Sequence, residues 1–382
     1  MECKIDRSAL LAGLGIIAEA IPSRARQPIL EHAFVTASET GLTLIATDTE
    51  IEIQTTVAAE VGLGGSVTLP CHKVLSICRS LPSSAALDIR LLDKGQITLK
   101  SRRSRFVVHG LDPADFPART TDTTTDHLVV PAQMLRGILD KARQAMPQSD
   151  HRYYLNGVLF KMADGTLSAA ATNGHMMIRV NTPLRESRGV AGEWIVPAKG
   201  VRALLKVLPT DAGDDLMADI AISRQAITVT VGTTRIRSQL IDGRFPDVER
   251  AIPRYESTQR ITVDVDKQEL EGLVERVGLM TTVNDKLASA VVLTPEAEGL
   301  RARAGSQEGE AIDSVDAHVA IPGSTSCDFG ANPAYCTAIL AALDTERVQL
   351  TLRDGSSGTI FHGLREGEVQ EDVIGVLMPI RI

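Results

Sequence analysis

Aromatic residues are scarce in this chain: Phe, Trp and Tyr together make up 3% of 382 residues, with a single Trp. The interior must therefore be built from Leu, Ile, Val, Ala and Met, which bury area through numbers instead of ring size. Cysteine is equally sparse. The five cysteines (Cys3, Cys71, Cys78, Cys327, Cys336) are odd in number and nowhere spaced C-x-x-C. That pattern argues against a disulfide framework and a zinc site, and places the chain in a reducing cytoplasm. No apolar run reaches the roughly 18 residues that span a bilayer, so no membrane contact is expected. The start, Met1-Glu2-Cys3-Lys4-Ile5-Asp6, lacks the apolar centre of a signal peptide. Missing too are G-x-x-x-x-G-K-[ST], H-E-x-x-H and G-x-S-x-G, and the eight histidines include no pair at metal-ligand spacing. Asn173-Gly174-His175 reads as a turn after a strand, where a histidine packs or hydrogen-bonds more often than it catalyses. The expectation is a non-catalytic protein with no metal and no cofactor.

What is present is an ordinary globular composition, 43% apolar and 23% charged, with a net charge of −8. That charge tells against a uniformly basic surface for nucleic acid but leaves room for a basic stripe. A chain of this length calls for two or three domains, and internal repetition decides for three. Ile5-Asp6-Arg7-Ser8-Ala9-Leu10, Val130-Pro131-Ala132-Gln133-Met134-Leu135 and Val265-Asp266-Lys267-Gln268-Glu269-Leu270 share the spacing of a hydrophobic staple at a helix start. Asp266 with Glu269 has capping-box spacing, and Asp6 is placed to cap the first copy. A glycine turn and strand follow at Gly41, Gly165 and Gly299. A second helix then opens with a proline in its first turn, at Pro70, Pro197 and Pro333. Offsets agree between copies: 125, 124 and 127 residues from first to second, then 135, 134 and 136 from second to third. Between the helices, Ile51-Glu52-Ile53-Gln54, Leu87-Asp88-Ile89-Arg90-Leu91, Ile227-Thr228-Val229-Thr230-Val231 and Val348-Gln349-Leu350-Thr351-Leu352 alternate with period two. Such strands have one dry and one wet face. The fold class is α+β: three tandem domains, at 1–120, 127–253 and 260–382, each with two helices on largely antiparallel sheet. Residues 119–126 and 254–260 read as linkers.

Gly13-Leu14-Gly15-Ile16-Ile17-Ala18 has the spelling of a dinucleotide loop, but its glycines fall inside the first amphipathic helix instead of after a buried strand. A nucleotide-dependent enzyme is the one reading it leaves from that class. Basic residues are more telling. Arg136, Lys141 and Arg143, then Lys199, Arg202 and Lys206, occupy the helices of the second copy. His72, Lys73 and Arg79 lie on the second helix of the first copy, with Arg24 and Arg26 in the loop before Pro28. Each alone is a solvated helix face; together they form an uneven basic stripe. The tail, Val376-Leu377-Met378-Pro379-Ile380-Arg381-Ile382, is apolar where chain ends are usually polar.

The chain as a whole resembles the bacterial β sliding clamp family, the processivity subunits of replicative DNA polymerase. The resemblance rests on Arg26-Gln27-Pro28-Ile29-Leu30-Glu31, Ala46-Thr47-Asp48-Thr49-Glu50-Ile51, Ser104-Arg105-Phe106, Asp115-Phe116-Pro117, Arg152-Tyr153-Tyr154-Leu155-Asn156-Gly157, Ala171-Thr172-Asn173-Gly174-His175, Asp242-Gly243-Arg244-Phe245-Pro246-Asp247, Asn332-Pro333-Ala334-Tyr335 and Met378-Pro379-Ile380-Arg381-Ile382. It implies a head-to-tail homodimeric ring around duplex DNA, with sheets outside and helices lining the hole. Phe106 and Val108 would meet Leu279 and Met280 of the partner. Sequence-independent DNA contacts would come from Arg24, Lys73, Arg79, Arg136, Lys141, Arg152, Tyr153, Tyr154, Lys199 and Arg202. For Tyr154, packing in the core is the competing reading. A groove for short linear motifs of the DNA polymerase III alpha subunit, the clamp loader and repair polymerases would be formed by Leu155, Thr172, Gly174, His175, Met176, Met177, Pro246, Arg250, Ala251, Asn332, Tyr335, Val376, Leu377, Met378, Pro379, Ile380 and Arg381. Met176 stands where family members commonly carry arginine, and Asn173 where they carry aspartate. With the longer segment 281–290, these departures raise the alternative of a diverged second clamp with altered partners.

Overall fold

The computed structural model describes residues 1–22, 24–92, 95–117, 123, 126–184, 190–211, 215–281, 290–322 and 327–382. Among them one order of elements occurs three times. In the first copy, strand Glu2–Asp6 runs directly into α1 (Arg7–Ile17), and strand Gly65–Pro70 into α2 (Cys71–Ser80). In the second, Asp126–Pro131 leads into α3 (Ala132–Ala142) and Gly192–Pro197 into α4 (Ala198–Val207). A single turn, α5 (Val248–Ala251), precedes the third. There Ile261–Asp266 leads into α6 (Lys267–Gly278) and Phe329–Ala331 into α7 (Pro333–Ala341). Three strands follow each second helix, ending in Ser104–His109, Thr234–Gln239 and Glu368–Leu377. The α+β triplication expected from the sequence is the fold.

Two local expectations need correction. Asp6 occupies the N-cap of α1, but its side chain makes no capping hydrogen bond, whereas Asp266 accepts from Glu269 N at 3.0 Å as its spacing predicts. Pro70 and Pro197 end the strands before α2 and α4 instead of opening the helices; only Pro333 stands in a first turn. Their fixed φ suits the extended residue just before a helix as well as the first helical one.

The chain forms two compact units, residues 1–136 with 199–240, and residues 137–198 with 241–382. The first unit holds a five-stranded and an eight-stranded sheet, the second a twelve-stranded sheet. In the eight-stranded sheet, Thr234–Gln239 pairs antiparallel with Ile51–Val57, Thr234 opposite Thr55 and Ser238 opposite Ile51. In the twelve-stranded sheet, Glu368–Leu377 pairs antiparallel with Met176–Pro183, Leu377 opposite Met176 and Val373 opposite Val180. The rule is the same twice: the last strand of one copy extends the sheet of the copy before it. It also explains why Glu52, on the wet face by alternation, is only 7% exposed. Arg237 stands directly opposite it, and Arg235 Nη1 lies 3.5 Å from its carboxylate.

Each copy also ties its two helices together with one cation. Arg7 Nε donates to Cys78 O at the end of α2, 2.7 Å. Arg136 Nη1 donates to Leu205 O and Leu208 O at the end of α4, both 2.5 Å. Lys267 Nζ donates to Leu343 O just past α7, 2.7 Å. Carbonyls at or just past the end of each second helix thereby gain a positively charged donor. The five cysteines are free and buried, and burial pushes the thiols up, that of Cys71 to about 12.

α1 packs on strands Gly41–Thr47 and Ile51–Val57 through the fully buried Leu10, Leu14 and Ile17. Gly13 sits at the contact: a Cβ there would lie 2.7 Å from Leu44 Cδ1 and 2.8 Å from Val57 Cγ1. The glycine of the apparent dinucleotide spelling thus serves close helix–sheet packing, mid-helix and away from any helix N-terminus where phosphate could bind. Gly13→Ala is expected to lower the unfolding free energy by about 1–3 kcal/mol through overpacking, despite alanine's better helix propensity. Urea unfolding followed by circular dichroism measures it; an unchanged or raised stability would refute the packing role.

Candidate functional site

The groove residues inferred from the sequence all belong to the second compact unit, and the sheet positions them. Strand Met176–Pro183 and the final strand place Met177 and Val376 directly opposite each other. With Ile360 and Ile374 they form a buried cluster against which Val248, Ile252 and Tyr255 pack. Leu155, 1% exposed, belongs to a second cluster with Leu159, Ile195 and Phe245. Met176 and Leu377 are likewise buried, and these residues would form the apolar floor of the candidate groove. Gly174, His175, Pro246, Arg250, Ala251, Met378 and Arg381 are exposed above it, and Thr172, Asn332, Tyr335, Pro379 and Ile380 are half-buried.

Two backbone devices fix the rim. The first is the turn Thr172-Asn173-Gly174-His175. Asn173 Oδ1 accepts from the amides of His175 and Met176, both at 2.9 Å, and Thr172 Oγ1 donates to Met176 O at 2.7 Å while accepting from Gly174 N at 3.0 Å. Gly174 has φ of +87°, a conformation that glycine reaches without strain. An amide oxygen performs this capping as well as a carboxylate would, so Asn173 preserves the turn while removing a charge. The second device is the tail. The final strand ends at Leu377; Met378 N then donates to His175 O and Ile380 N to Gly330 O, each 2.8 Å. The tail is therefore a pinned wall. At the remaining edge, Asn332 caps α7 by accepting from Tyr335 N at 3.2 Å, and the Tyr335 ring stacks on His175 at 6.2 Å between centroids.

An equivalent turn exists in the first unit, and it is filled. Asp48 Oδ1 accepts from Glu50 N and Ile51 N, and Thr47 Oγ1 donates to Ile51 O, bond for bond as at 172–176. Gln239 N donates to Glu50 O at 2.8 Å, as Met378 does to His175. Polar side chains complete the first-unit turn: Lys199 pairs with Asp48, and Gln239 Nε2 donates to Thr49 O at 3.0 Å.

The DNA candidates divide. Arg24, Lys73, Arg79 and Arg202 are exposed, as is Tyr153 at 58%. Arg136 is committed to the end of α4, Lys199 to Asp48, Lys141 to Asp344 at 2.5 Å, and Arg152 to Asp150. Tyr154 packs on the Leu155 cluster, edge-on to Tyr153. At the interface candidates, Leu279 is 82% exposed, Met280 and Phe106 are half-buried, and Val108 is buried. Sequence reading passed over Val107, Ile312 and Tyr255. Val107 and Ile312 are exposed apolar residues on strands Ser104–His109 and Gly309–Ala320, detectable as apolar residues of the wet parity. Tyr255, placed in a polar linker, donates its hydroxyl to Gly358 O beside the groove; no local pattern signals that.

Three like copies of helix-backed sheet, joined copy to copy by strand pairing, define a DNA-clamp architecture. Residues 1–120 match the family described as DNA polymerase III beta subunit, N-terminal domain, and residues 129–247 its central domain. The chain is 30% identical to the beta sliding clamps of Pseudomonas aeruginosa and of Vibrio cholerae, in each case over the full length of both proteins. Among solved structures it is similar to the Pseudomonas aeruginosa clamp bound to griselimycin, at TM-score 0.91 and 29% identity, covering 100% of each chain. A Bartonella birtlesii clamp bound to griselimycin is similar at 0.90 and 26%, with the same coverage. The chain belongs to the bacterial beta sliding clamp family, the DNA polymerase III beta subunits.

Gly330→Ala tests the pinned tail, because a Cβ there would lie 2.5 Å from Ile380 O. The amide of Ile380 is expected to lose protection in hydrogen–deuterium exchange while those of strand Met176–Pro183 keep theirs. Protection unchanged at Ile380 would mean that the tail is held by something other than this contact.

Proposed function

We propose that the chain acts as a processivity clamp, closing head-to-tail on a second copy around duplex DNA and tethering the polymerase and other replication proteins through its groove. The observation that carries this reading is the strand-pairing rule. The last strand of the second copy extends the first copy's sheet, and the last strand of the third extends the second's. The last strand of the first copy, Ser104–His109, ends its sheet with no further strand beside it among the described residues. Residues 309–316 in turn have a strand on one side only among the described residues, Gly299–Ser306. Pairing them between chains completes the rule and covers two edges that would otherwise invite aggregation. Such a heterologous contact closes into a ring when its rotation permits. Val107, Ile312 and Leu279 are exposed apolar residues suited to that interface, beside Phe106, Val108 and Met280.

A ring is held by topology, so its contacts with DNA need only be weak and blind to sequence. The exposed Arg24, Lys73, Arg79 and Arg202 suit that work, with Tyr153 available for backbone hydrogen bonds or stacking on single strand. Arg136, Lys141, Arg152 and Lys199 contribute to the field from within intramolecular pairs. The domains would run over 1–120, 127–253 and 260–382, the protein would work in the cytoplasm without cofactor or catalysis, and the net charge of −8 would discourage adhesion elsewhere. The groove, an apolar floor beneath a fixed polar rim, suits short peptides anchored by aliphatic or aromatic side chains, as in the alpha subunit, clamp loader and repair polymerases. The buried Met176 makes this floor less polar than the arginine common in the family, which favours a shifted partner preference.

Sedimentation should find a dimer at micromolar concentration, and Val107→Asp should convert it to monomer; a monomeric wild type would overturn ring closure. Deleting residues 378–382 should abolish griselimycin binding and polymerase stimulation while the dimer persists. Full griselimycin affinity in the truncated protein would remove the groove assignment.

A further inference from the structure

We propose that Arg152 is a positioning residue of the peptide groove, holding the turn 172–176 in place from outside; this rests on the groove reading above. Arg152 is set by Asp150: Nε donates to Oδ1 at 3.0 Å and Nη2 to Oδ2 at 2.7 Å, a two-pronged fork. Asp150 Oδ1 also accepts the Arg152 amide at 2.8 Å, and the guanidinium holds the Asp150 carboxyl far below the usual carboxylate range. The fork leaves Arg152 aimed at the groove turn, where Nη2 donates to Asn173 O at 3.0 Å. Gly174 makes room for it: a Cβ there would lie 2.9 Å from Nη1. From that turn the bonding continues directly into the groove wall, through His175 O to Met378 N and through the His175 ring to Tyr335.

The first-unit turn indicates what such a cation is for. There Lys199 grips the Asp48 side chain. In the groove turn the corresponding residue is Asn173, which carries no charge to be gripped, and the external cation holds the backbone carbonyl instead. Both turns are thus clamped by a basic residue from outside the hairpin. In the groove the clamp leaves the rim surface, Gly174 and His175, uncovered for a ligand. Arg152 is thereby a contributor to groove shape without being one of its lining residues, and its guanidinium is engaged by Asp150 and the Asn173 carbonyl.

The test uses the full-length protein with griselimycin as probe. Arg152→Ala is expected to weaken griselimycin binding about tenfold with the melting transition little changed, and Arg152→Lys to restore only part of it, because a point charge cannot hold the fork and the carbonyl together. Gly174→Ala should weaken binding strongly in the wild type and by a smaller factor in the Arg152→Ala background, where the guanidinium it would strike is gone; the strain from positive φ is common to both. Failure of griselimycin to bind the wild type would sink the groove reading itself. Binding to the wild type with equal affinity for Arg152→Ala, or strictly independent effects of the two substitutions, would overturn the positioning role alone. Loss of DNA affinity in Arg152→Ala with griselimycin binding intact would likewise overturn it, assigning the residue to DNA.

Discussion

Main-chain hydrogen bonding across copies is the interaction on which this molecule depends. An antiparallel sheet leaves a row of unpaired donors and acceptors at its edge, and a chain with three sheet-rich copies must cover each such edge or expose it. Strand Thr234–Gln239 covers one edge and strand Glu368–Leu377 another. The second pairing also brings the end of the chain beside the turn that opens Met176–Pro183. The proposed binding surface and the joint between copies would thus be one structure, and a partner docked there would rest on the backbone that holds the copies together.

The aliphatic composition fits this plan. With few rings available, the interior is filled by β-branched and leucine side chains in alternating strands, and Phe329 and Phe361 are the largest fully buried residues. Cores of this kind are uniform, so specificity of arrangement has to come from elsewhere. Part of it comes from the cations at the helix ends. Arg7, Arg136 and Lys267 each join the first helix of a copy to the last carbonyls of the second. A mobile basic surface residue would gain little from an exposed ion pair; a charged donor at the negative end of a helix gains more.

That device marks the limit of what could be read from sequence. Helix starts, glycine turns and the threefold spacing were legible because each is written within a few adjacent residues. The last strand was legible through the tail, whose apolar character is anomalous for a chain end. Which lysines and arginines face outward was not legible. Arg136 and Lys199 look like any solvated basic residues until the chain brings Leu205, Leu208 and Asp48 to them, the last from 151 positions away. Asp6 makes no capping bond although its backbone, φ −66° and ψ 135°, matches that of the capping Asp266, φ −62° and ψ 132°, so residue type and local backbone permit the bond without fixing it. Parity misled at Glu52, where a strand from a later copy turned a wet face dry.

Thr49 shares the left-handed conformation of Gly174, with φ of 83° against 87°, although a β-branched residue is disfavoured there by roughly 1–2 kcal/mol. The chain tolerates this strain at a turn whose surroundings are closed by Lys199 and Gln239, and relaxes it at the turn that is open. Triplication by itself would multiply docking sites with every joint between copies. In the proposed function, filling one joint with polar side chains and leaving the other apolar would set the valence at one docking groove for the two joints among the described residues. The number of partners held at once, and so the terms on which they exchange, would then be decided by residues that touch none of them.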